Sequence, residues 1–338
     1  MKSLNVYSFI VIVFIMSACT VNNKKDAFVA PSRELIGSTI IDQNSSMLLG
    51  KLSSISGVIN NAVYIFDPWG DYFYTKYDVA KNEAYRFCKK GQGPNEVVNV
   101  LSSVSLVSKD NGNYISIFDN YHCKFLFFQE DHIEDNNYVQ ETSLLDRLMI
   151  ADAFPINDSI VIARGVFGKN ICMFLKNGRE QSVCLESFTK VGNDNVKRIL
   201  KDANEFALSP SKEYLIRITQ NGGLIEGYKI KDMQLVLQFS HNYFEVICDE
   251  NLSDTKDSRY GYIDVAVSND KIYGLYDGGL VSRQNTYRSN IIHVYNIDGD
   301  IVEKLQLDQY VKSIGVDCEN KRIFAKSAND DLLLFNLQ

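Results

Sequence analysis

The sequence predicts an all-β protein, a six-bladed β-propeller in which a strand from near the N-terminus closes the last blade. The stretch Arg259–Asp308 reads as four consecutive strands, rich in Val, Ile, Leu and Tyr and separated by turn-forming residues. Comparable units begin near residues 58, 104, 149, 206, 262 and 312, which are 45 to 57 residues apart. The last unit has three strands, and Glu34–Ile41 is a strand without a partner close by in sequence. Glu34–Ile41 is therefore predicted to supply the missing strand.

A four-stranded unit is not expected to stand alone, because it would expose a hydrophobic face. Six units stacked in a ring bury these faces, and closure of the ring removes the open sheet edge that promotes aggregation. The alternative fold is a β-sandwich with a second, smaller domain. The regular spacing of the units disfavours it.

The strands of the first three units are predicted from runs of β-branched and aromatic residues between turn signals. The first unit comprises Val58–Asn60, Ala62–Asp67, Phe73–Asp78 and Glu83–Cys88; the second Val104–Val107, Tyr114–Asp119, Lys124–Gln129 and Tyr138–Glu141; the third Met149–Phe154, Ser159–Ala163, Ile171–Lys176 and Glu180–Leu185. The turn between the second and third strands of the first unit is Pro68–Trp69–Gly70–Asp71.

The last three units follow the one clear helical signal, Asn193–Lys201, which has Val196, Ile199 and Leu200 on one face and Asn193 or Asp194 as a cap. The fourth unit comprises Phe206–Ser209, Tyr214–Gln220, Leu224–Ile230 and Leu235–Ser240; the fifth Tyr262–Val267, Lys271–Tyr276, Ile291–Ile297 and Ile301–Leu307; the sixth Lys312–Asp317, Arg322–Ala325 and Leu332–Leu337. We expect the helix to pack over a sheet edge.

The N-terminus predicts export and lipid attachment. An apolar run from Val6 to Met16 is too short to span a bilayer comfortably, and it ends in Met16–Ser17–Ala18–Cys19, which resembles the lipobox of bacterial lipoproteins. Residues 1–18 are thus predicted to be a signal peptide, 19–32 a polar tether on lipidated Cys19, and 33–338 the propeller domain. Thr20 after the cysteine favours the outer membrane of a Gram-negative bacterium, facing the periplasm or the surface. A plain secretory signal, with Cys19 incidental, is the alternative.

Composition restricts the partners. The 338 residues carry 35 Lys and Arg against 42 Asp and Glu, a formal net charge of −7, and Lys and Arg form no cluster. Nucleic acid and anionic headgroups are therefore not expected partners, and membrane contact is expected through the lipid on Cys19. The domain is expected to be monomeric.

The seven cysteines give no metal or redox spacing, because none forms a CxxC motif. Six of them are isolated in strand-like contexts, where free thiols are expected. Cys172 and Cys184 flank a turn at Asn177–Gly178. A two-residue loop would place their sulfurs on opposite faces of the hairpin, whereas a three-residue loop would place them face to face.

Four stretches resemble the TolB-like six-bladed propeller lipoproteins of Gram-negative envelopes: GQGPNE, GYIDVAVSNDKIYGLYDGG, IIHVYNIDGD and VDCENKRIFA. The resemblance covers about residues 33–338 and is strongest from residue 260. The connecting loop of the family usually reads G-x-G-P-G-E, and Asn95 stands here in place of its last glycine. The resemblance implies architecture and cellular address, and it implies no activity.

Gln92 and Glu96 are the first candidate ligand-binding residues. Gly91 and Gly93 permit positive φ and Pro94 stiffens the loop, so these two side chains are held in fixed positions. The loop lacks the helix start that a phosphate cradle needs. The structural interpretation is a turn between units in which Glu96 binds backbone amides.

The second group of candidates surrounds a long insertion in the fifth unit: Tyr276, Asp277, Arg283 and Arg288. Loops on one end of a propeller are suitable for ligands, and Arg and Tyr dominate many interfaces. Arg283→Ala or Tyr276→Ala is therefore expected to weaken partner capture and leave the fold intact. An ordinary solvated loop is the alternative.

No catalytic signature such as GxSxG or HExxH is present, the four histidines are far apart, and no cofactor or metal is predicted. Asp249, Glu250, Asp254 and Asp257 lack EF-hand spacing and are interpreted as a solvated loop. The prediction is a non-catalytic binding or scaffold module for a protein, peptide or glycan. The alternative is a hydrolase or lyase with a carboxylate or metal site at the mouth of the propeller channel.

Overall fold

A computed structural model describes residues 28–42, 50, 53–93, 95–101, 103–109, 112–141, 149–282, 287–317, 319 and 321–337. Cys19, the predicted signal peptide and Arg283 lie outside these residues. Within them the chain is all-β, as predicted, apart from one α-helix, α1 (Asn195–Asp202), and one 3-10 helix (Glu130–Asp135).

Three antiparallel four-stranded sheets follow one another in the first half of the chain. The first contains β3 (Ser54–Ile59), β4 (Ala62–Phe66), β5 (Tyr72–Asp78) and β6 (Glu83–Lys89). The second contains β7 (Ser105–Lys109), β8 (Gly112–Asp119), β9 (Lys124–Gln129) and β10 (Tyr138–Glu141). The third contains β11 (Met149–Pro155), β12 (Ile160–Phe167), β13 (Asn170–Lys176) and β14 (Arg179–Glu186).

The second half holds one further four-stranded sheet and one eight-stranded sheet. The four-stranded sheet contains β15 (Asn204–Leu208), β16 (Tyr214–Thr219), β17 (Leu224–Lys231) and β18 (Gln234–Asn242). The other contains β19 (Tyr262–Val267), β20 (Lys271–Tyr276), β21 (Ser289–Asn296), β22 (Ile301–Asp317), β23 (Arg322–Ser327) and β24 (Leu332–Asn336) with β1 (Ser32–Leu35) and β2 (Ser38–Ile41). The long β22 pairs with β21 mainly through its first half and with β23 through its second half.

The N-terminal segment was predicted to form one strand, Glu34–Ile41, and this prediction was wrong in part. It forms two short strands: β1 runs parallel to β22, where Leu35 faces Leu307, and β2 runs antiparallel to β24, where Ser38 faces Leu334. Leu35 and Ile41 are both buried. The segment therefore pairs with the outer edges of two consecutive groups of strands, those that end at β22 and at β24.

Buried side chains between neighbouring sheets form the core. The middle strands are apolar on both faces: in β4, Val63, Tyr64 and Ile65 are at most 1% exposed, and β9, β13 and β16 have similar burial patterns. Strands covered on both faces need such runs, whereas the outer strand β18 has no buried residue and contains only exposed and half-buried ones.

The predicted helix is present, shifted by one to two residues, and the carboxylate of Asp194 caps it by accepting a hydrogen bond from the Lys197 N–H at 3.1 Å. The predicted apolar face was wrong in part. Ile199 is buried, but Val196 is 39% and Leu200 67% exposed. The buried Asp202 at the end of α1 accepts hydrogen bonds from the N–H groups of Phe188 and Thr189, so the helix fixes the preceding connection.

Candidate functional site

A cavity of about 600 Å³ lies on the propeller axis. Its walls are the first strand of each four-stranded sheet, together with β19 and the second half of β22. Six first strands therefore surround one space, and Arg164 reaches it from the second strand β12. Three carboxyl groups face the space from within β11, β15 and β19: Asp152, Glu205 and Asp264. Lys212, Asp270, Asp317 and Glu319 also line it.

Hydrogen bonds position these charged groups. The Arg164 guanidinium donates to the carbonyl oxygen of Asn204 at 2.6 Å, and one of its nitrogens lies 3.7 Å from a carboxylate oxygen of Asp152. The hydroxyl of Ser103 donates to Asp152. The side-chain amide of Gln220 donates to Glu205 at 2.8 Å. Arg164 thus lies beside Asp152, and both Asp152 and Glu205 accept hydrogen bonds from neighbouring side chains.

The three carboxyl groups are less acidic than usual. Burial raises the pKa of Asp152 against the opposing effect of Arg164, and burial also raises the pKa of Glu205. Burial, together with the charge of Glu205, raises the pKa of Asp264 to about 8. Asp264 lies deep in the ring, but its side chain borders the cavity and is only half-buried. The raised pKa values favour the protonated form of each group.

A β-bulge places Asp152 and Asp264 at this position, whereas Glu205 lies in β15, which pairs with β16 without a bulge. In β11 and β19 one residue, Ala151 or Ile263, has no partner on the next strand, and the residue after it is Asp152 or Asp264. β3 and β22 have the same irregularity, followed by Gly57 and Ser313. The bulge bends the strand and re-aims the side chain that follows it.

Sequence analysis did not find these residues, although a signal was present. Asp152 is followed by Ala-Phe, Glu205 by Phe-Ala and Asp264 by Val-Ala, so an acid precedes a short apolar run in the first strand of three units. An acid in such a strand is expensive to bury. Alignment of the units on their first strands would have shown the repetition.

The mouth of the cavity lies at the turns between first and second strands. Asn60, Pro210 and Asn269 occupy three of these turns, and Glu319 lies between β22 and β23. All four residues line the cavity and are exposed. Because alternate strands are antiparallel, the loops that follow second and fourth strands lie at the opposite end. The predicted candidates that the structure describes lie at or in those loops: Gln92 and Glu96 after β6, and Tyr276, Asp277 and Arg288 from the end of β20 onward.

Glu96 stabilises its own turn. Its carboxylate accepts a hydrogen bond from the Gly93 N–H at 2.9 Å and one from the Lys89 ammonium at 2.7 Å. Lys89 and the backbone N–H groups of Gly93 and Gln92 lower the pKa of Glu96. These contacts support the structural interpretation, a turn between units. Gln92 is exposed beside it.

Tyr276, Asp277 and Arg288 are close in sequence but have different surroundings. Tyr276 stacks on His293 with ring centroids 4.3 Å apart. Asp277 accepts a hydrogen bond from the Gly279 N–H at 2.9 Å. The guanidinium of Arg288 lies 5.4 Å from the centroid of the Tyr310 ring. Each of these three residues therefore has a structural contact, and none is among the residues that line the cavity.

His293 fills a strand position in β21. It is 4% exposed, the Tyr262 hydroxyl lies 3.0 Å from its Nδ1, and Phe28 stacks on its other face at 3.7 Å. Burial lowers the pKa of His293 to about 3, so the ring is neutral at physiological pH. It belongs to a buried aromatic cluster and not to an open site.

The TolB-like 6-blade propeller-like family matches residues 57–319, which are 263 of the 338 residues. The chain belongs to this family. No curated protein sequence matches it. A putative exported protein from Bacteroides fragilis has a similar fold, with a TM-score of 0.53 at 12% identity over 91% of this chain and 99% of that one.

The β-propeller domain of Cps50 (Swd1) from Myceliophthora thermophila has a TM-score of 0.47 at 11% identity over 87% of this chain and 99% of that one. At such identities the likeness concerns the fold alone. The family match includes β19 and nearly all of the cavity wall. The TolB-like chain is thus a β-propeller with a cavity of about 600 Å³ on its axis.

No group of three or more His, Cys, Asp or Glu residues in the described part of this TolB-like chain could hold a metal ion. Asp249 accepts hydrogen bonds from the N–H groups of Asn251 and Ser253, and Asp254 pairs with Lys201. These contacts fit the solvated loop that was predicted there. Among the described helices, neither is long and apolar enough to cross a bilayer.

Proposed function

We propose that the protein is a lipid-anchored, non-catalytic binding or scaffold module of the cell envelope, and that its partner is a protein, peptide or glycan that inserts a polar group into the axial cavity. One observation carries the proposal: a space of about 600 Å³ on the axis, walled by six stretches of chain and opening among polar turns. This volume lies in the range of ligand sites, about 300–1,000 Å³.

The proposal includes six blades. The four separate sheets are blades one to four, and the eight-stranded sheet contains blades five and six, because β22 pairs with β21 in its first half and with β23 in its second. β2 would then be the outer strand of the sixth blade, and β1 an additional outer strand of the fifth. The six-stretch wall of the cavity supports this count.

The proposed address is the outer membrane, facing either the periplasm or the surface. It rests on the lipobox-like residues that end at Cys19 and on the polar tether 19–32. Acyl chains on Cys19 would supply the membrane contact, and two or more chains make such attachment stable. The propeller would then be presented beside the bilayer.

The cavity also supports a second candidate, a hydrolase or lyase that uses carboxyl groups. Asp152, Glu205 and Asp264 come from three first strands, and carboxyl groups with raised pKa values are typical of general acids. Among the described residues no three potential metal ligands lie together, so the carboxyl groups are the part of this candidate that the described residues support. Hydrogen bonds from Ser103, Gln220 and the Ile314 N–H give the same acids a structural role.

Two experiments distinguish the candidates. The full-length protein is purified in detergent and incubated with solubilised envelope, and captured partners are identified by cross-linking and mass spectrometry. The same preparation is assayed on glycosidic, ester, lactone and peptide substrates with and without EDTA. Capture without turnover supports the binding module. Turnover that is lost in Glu205→Gln, with the melting temperature preserved, would establish the enzyme instead.

A further inference from the structure

Cys172 on β13 and Cys184 on β14 face each other directly in the third sheet. The turn between the strands has two residues, since Lys176 faces Arg179. A regular ladder from such a turn would have placed the two sulfurs on opposite faces.

A single extra residue changes this register. Leu175 faces Glu180, but Phe174 faces Ser182, so Gln181 has no partner on β13. Beyond this bulge the pairing is shifted by one residue, and both cysteine side chains lie on the same face of the hairpin. Sequence analysis considered a two-residue or a three-residue loop. The structure has a two-residue turn followed by a bulge.

This register satisfies the geometry of a disulfide. Directly opposite residues in antiparallel strands have Cα atoms about 4.5–5.5 Å apart, and disulfides join Cα atoms about 4.4–6.8 Å apart. Both thiols are free in this structure. The register therefore places the two cysteines where a disulfide can form.

We propose that Cys172 and Cys184 are a disulfide site, closed by exchange with a small-molecule or protein disulfide. The thiolate of Cys184 attacks one sulfur of the external disulfide, whose other sulfur leaves as a thiolate and takes up a proton. Deprotonated Cys172 then attacks the Cys184 sulfur and expels the second external thiolate. Two protein thiols are oxidised to one disulfide, and one external disulfide is reduced to two thiols.

The burial of the two cysteines assigns this order. Cys184 is half-buried on the outer strand, whereas Cys172 is fully buried against Phe174 and Ile162. Burial and the adjacent Cys184 thiol raise the pKa of Cys172 well above its ordinary value. An external reagent therefore meets Cys184 first, and Cys172 completes the bond from inside.

Peptide mass spectrometry tests the site. The full-length protein purified in detergent is treated with glutathione disulfide, alkylated under denaturing conditions and digested with trypsin. Cys172 then lies in Asn170–Lys176 and Cys184 in Glu180–Lys190. We expect these two peptides linked, with a mass two hydrogens below their sum. Closing a short loop should also raise the melting temperature by about 5 °C.

Two variants make the result decisive. Deletion of Gln181 removes the bulge and should abolish the linked peptide, and Cys184→Ser should leave Cys172 unmodified while the protein is folded. Cys248→Ser is the matched control, because Cys248 is half-buried and free; it should not change the linkage. A stable glutathione adduct on Cys184 of the folded wild type, or no modification of either cysteine, would overturn the proposal.

Discussion

The carboxylate of Asp264 accepts a hydrogen bond from the backbone N–H of Ile314, with the two atoms 2.7 Å apart. Asp264 belongs to β19 and Ile314 to the second half of β22, so this bond joins two neighbouring strands of the cavity wall. The Ser313 hydroxyl makes the next such link, because it accepts a hydrogen bond from the Ile55 N–H on β3 at 2.9 Å. Residues that follow the bulges therefore hold the ring together at its axis.

The raised pKa of Asp264 predicts a stability that depends on pH. The native state holds the proton up to about pH 8, whereas the unfolded chain releases it near the ordinary value of the group. The contribution of Asp264 to the free energy of unfolding is therefore fully present below the unfolded pKa and is lost as pH rises toward 8. The loss should amount to about 2–5 kcal/mol.

Urea unfolding at pH 5 and pH 8 measures this contribution as a difference between proteins. The stability of Asp264→Asn should fall less between these two pH values than that of the wild type, and Asp257→Asn, an exposed control, should follow the wild type. Parallel pH profiles for the wild type and Asp264→Asn would contradict the assignment.

Deletion of Arg33–Ile41 should destabilise the propeller and promote aggregation. The deletion removes nearly all of β1 and β2, including buried Leu35 and Ile41, and leaves strand edges on β22 and β24 unpaired. We expect a loss of at least about 3 kcal/mol from the two side chains alone. Arg33→Ala is the control, because the partly exposed Arg33–Glu303 pair is worth about 1 kcal/mol at most. An unchanged melting temperature in the deletion variant would contradict the pairing.

The all-β propeller architecture could be predicted from the sequence because it depends on patterns that repeat along the chain. Runs such as those of β4 and β9 and the turn residues between them recur in each unit, and the Asp194 cap was visible as a residue type in the right place. The split of the N-terminal segment into β1 and β2 was not visible, since parallel pairing with β22 is a long-range contact that no local pattern encodes.

The candidate site was less accessible to sequence analysis. The candidate residues were predicted in loops that contain Gly, Pro, Arg and Tyr. In the structure, however, Glu96 binds its own turn and Tyr276 belongs to an aromatic stack. The cavity acids lie inside strands, where register and bulges decide which way a side chain points. Neither the bulge before Asp264 nor the one in β14 is marked by Gly or Pro.

Tyr276→Ala should affect the fold, contrary to the expectation from sequence. The Tyr276 ring stacks on His293 and lies 5.2 Å from the Tyr262 ring, centroid to centroid. Its removal should cost about 2–4 kcal/mol of unfolding free energy. Chemical denaturation would show this loss, and Tyr276→Phe, which keeps the ring, should cost less than about 1 kcal/mol. Equal stability of the alanine variant and the wild type would exclude a structural role for the ring.

Cys19→Ala tests the proposed anchor. If Cys19 carries the lipid, the variant should be released in soluble form or accumulate as unprocessed precursor, because a lipobox without its cysteine offers no acylation site. Detergent partitioning and intact-mass measurement distinguish these forms. Processed protein that still requires detergent would contradict lipid attachment at Cys19.

The central claim, that a partner binds at the mouth of the axial cavity, is tested most directly by comparing partner affinity between the two ends of the propeller. Asn269→Trp with Glu319→Lys changes the mouth, and Gln92→Ala with Arg288→Ala changes the opposite end at exposed or half-buried positions. Both variants should melt within about 2 °C of the wild type, since surface substitutions change stability little. The dissociation constant for the partner captured from the envelope should rise at least about tenfold, or about 1.4 kcal/mol, in the mouth variant and less than about twofold in the other. A mouth variant that binds as tightly as the wild type would contradict the claim, and a loss confined to the opposite-end variant would assign binding to the loops around Gln92 and Arg288.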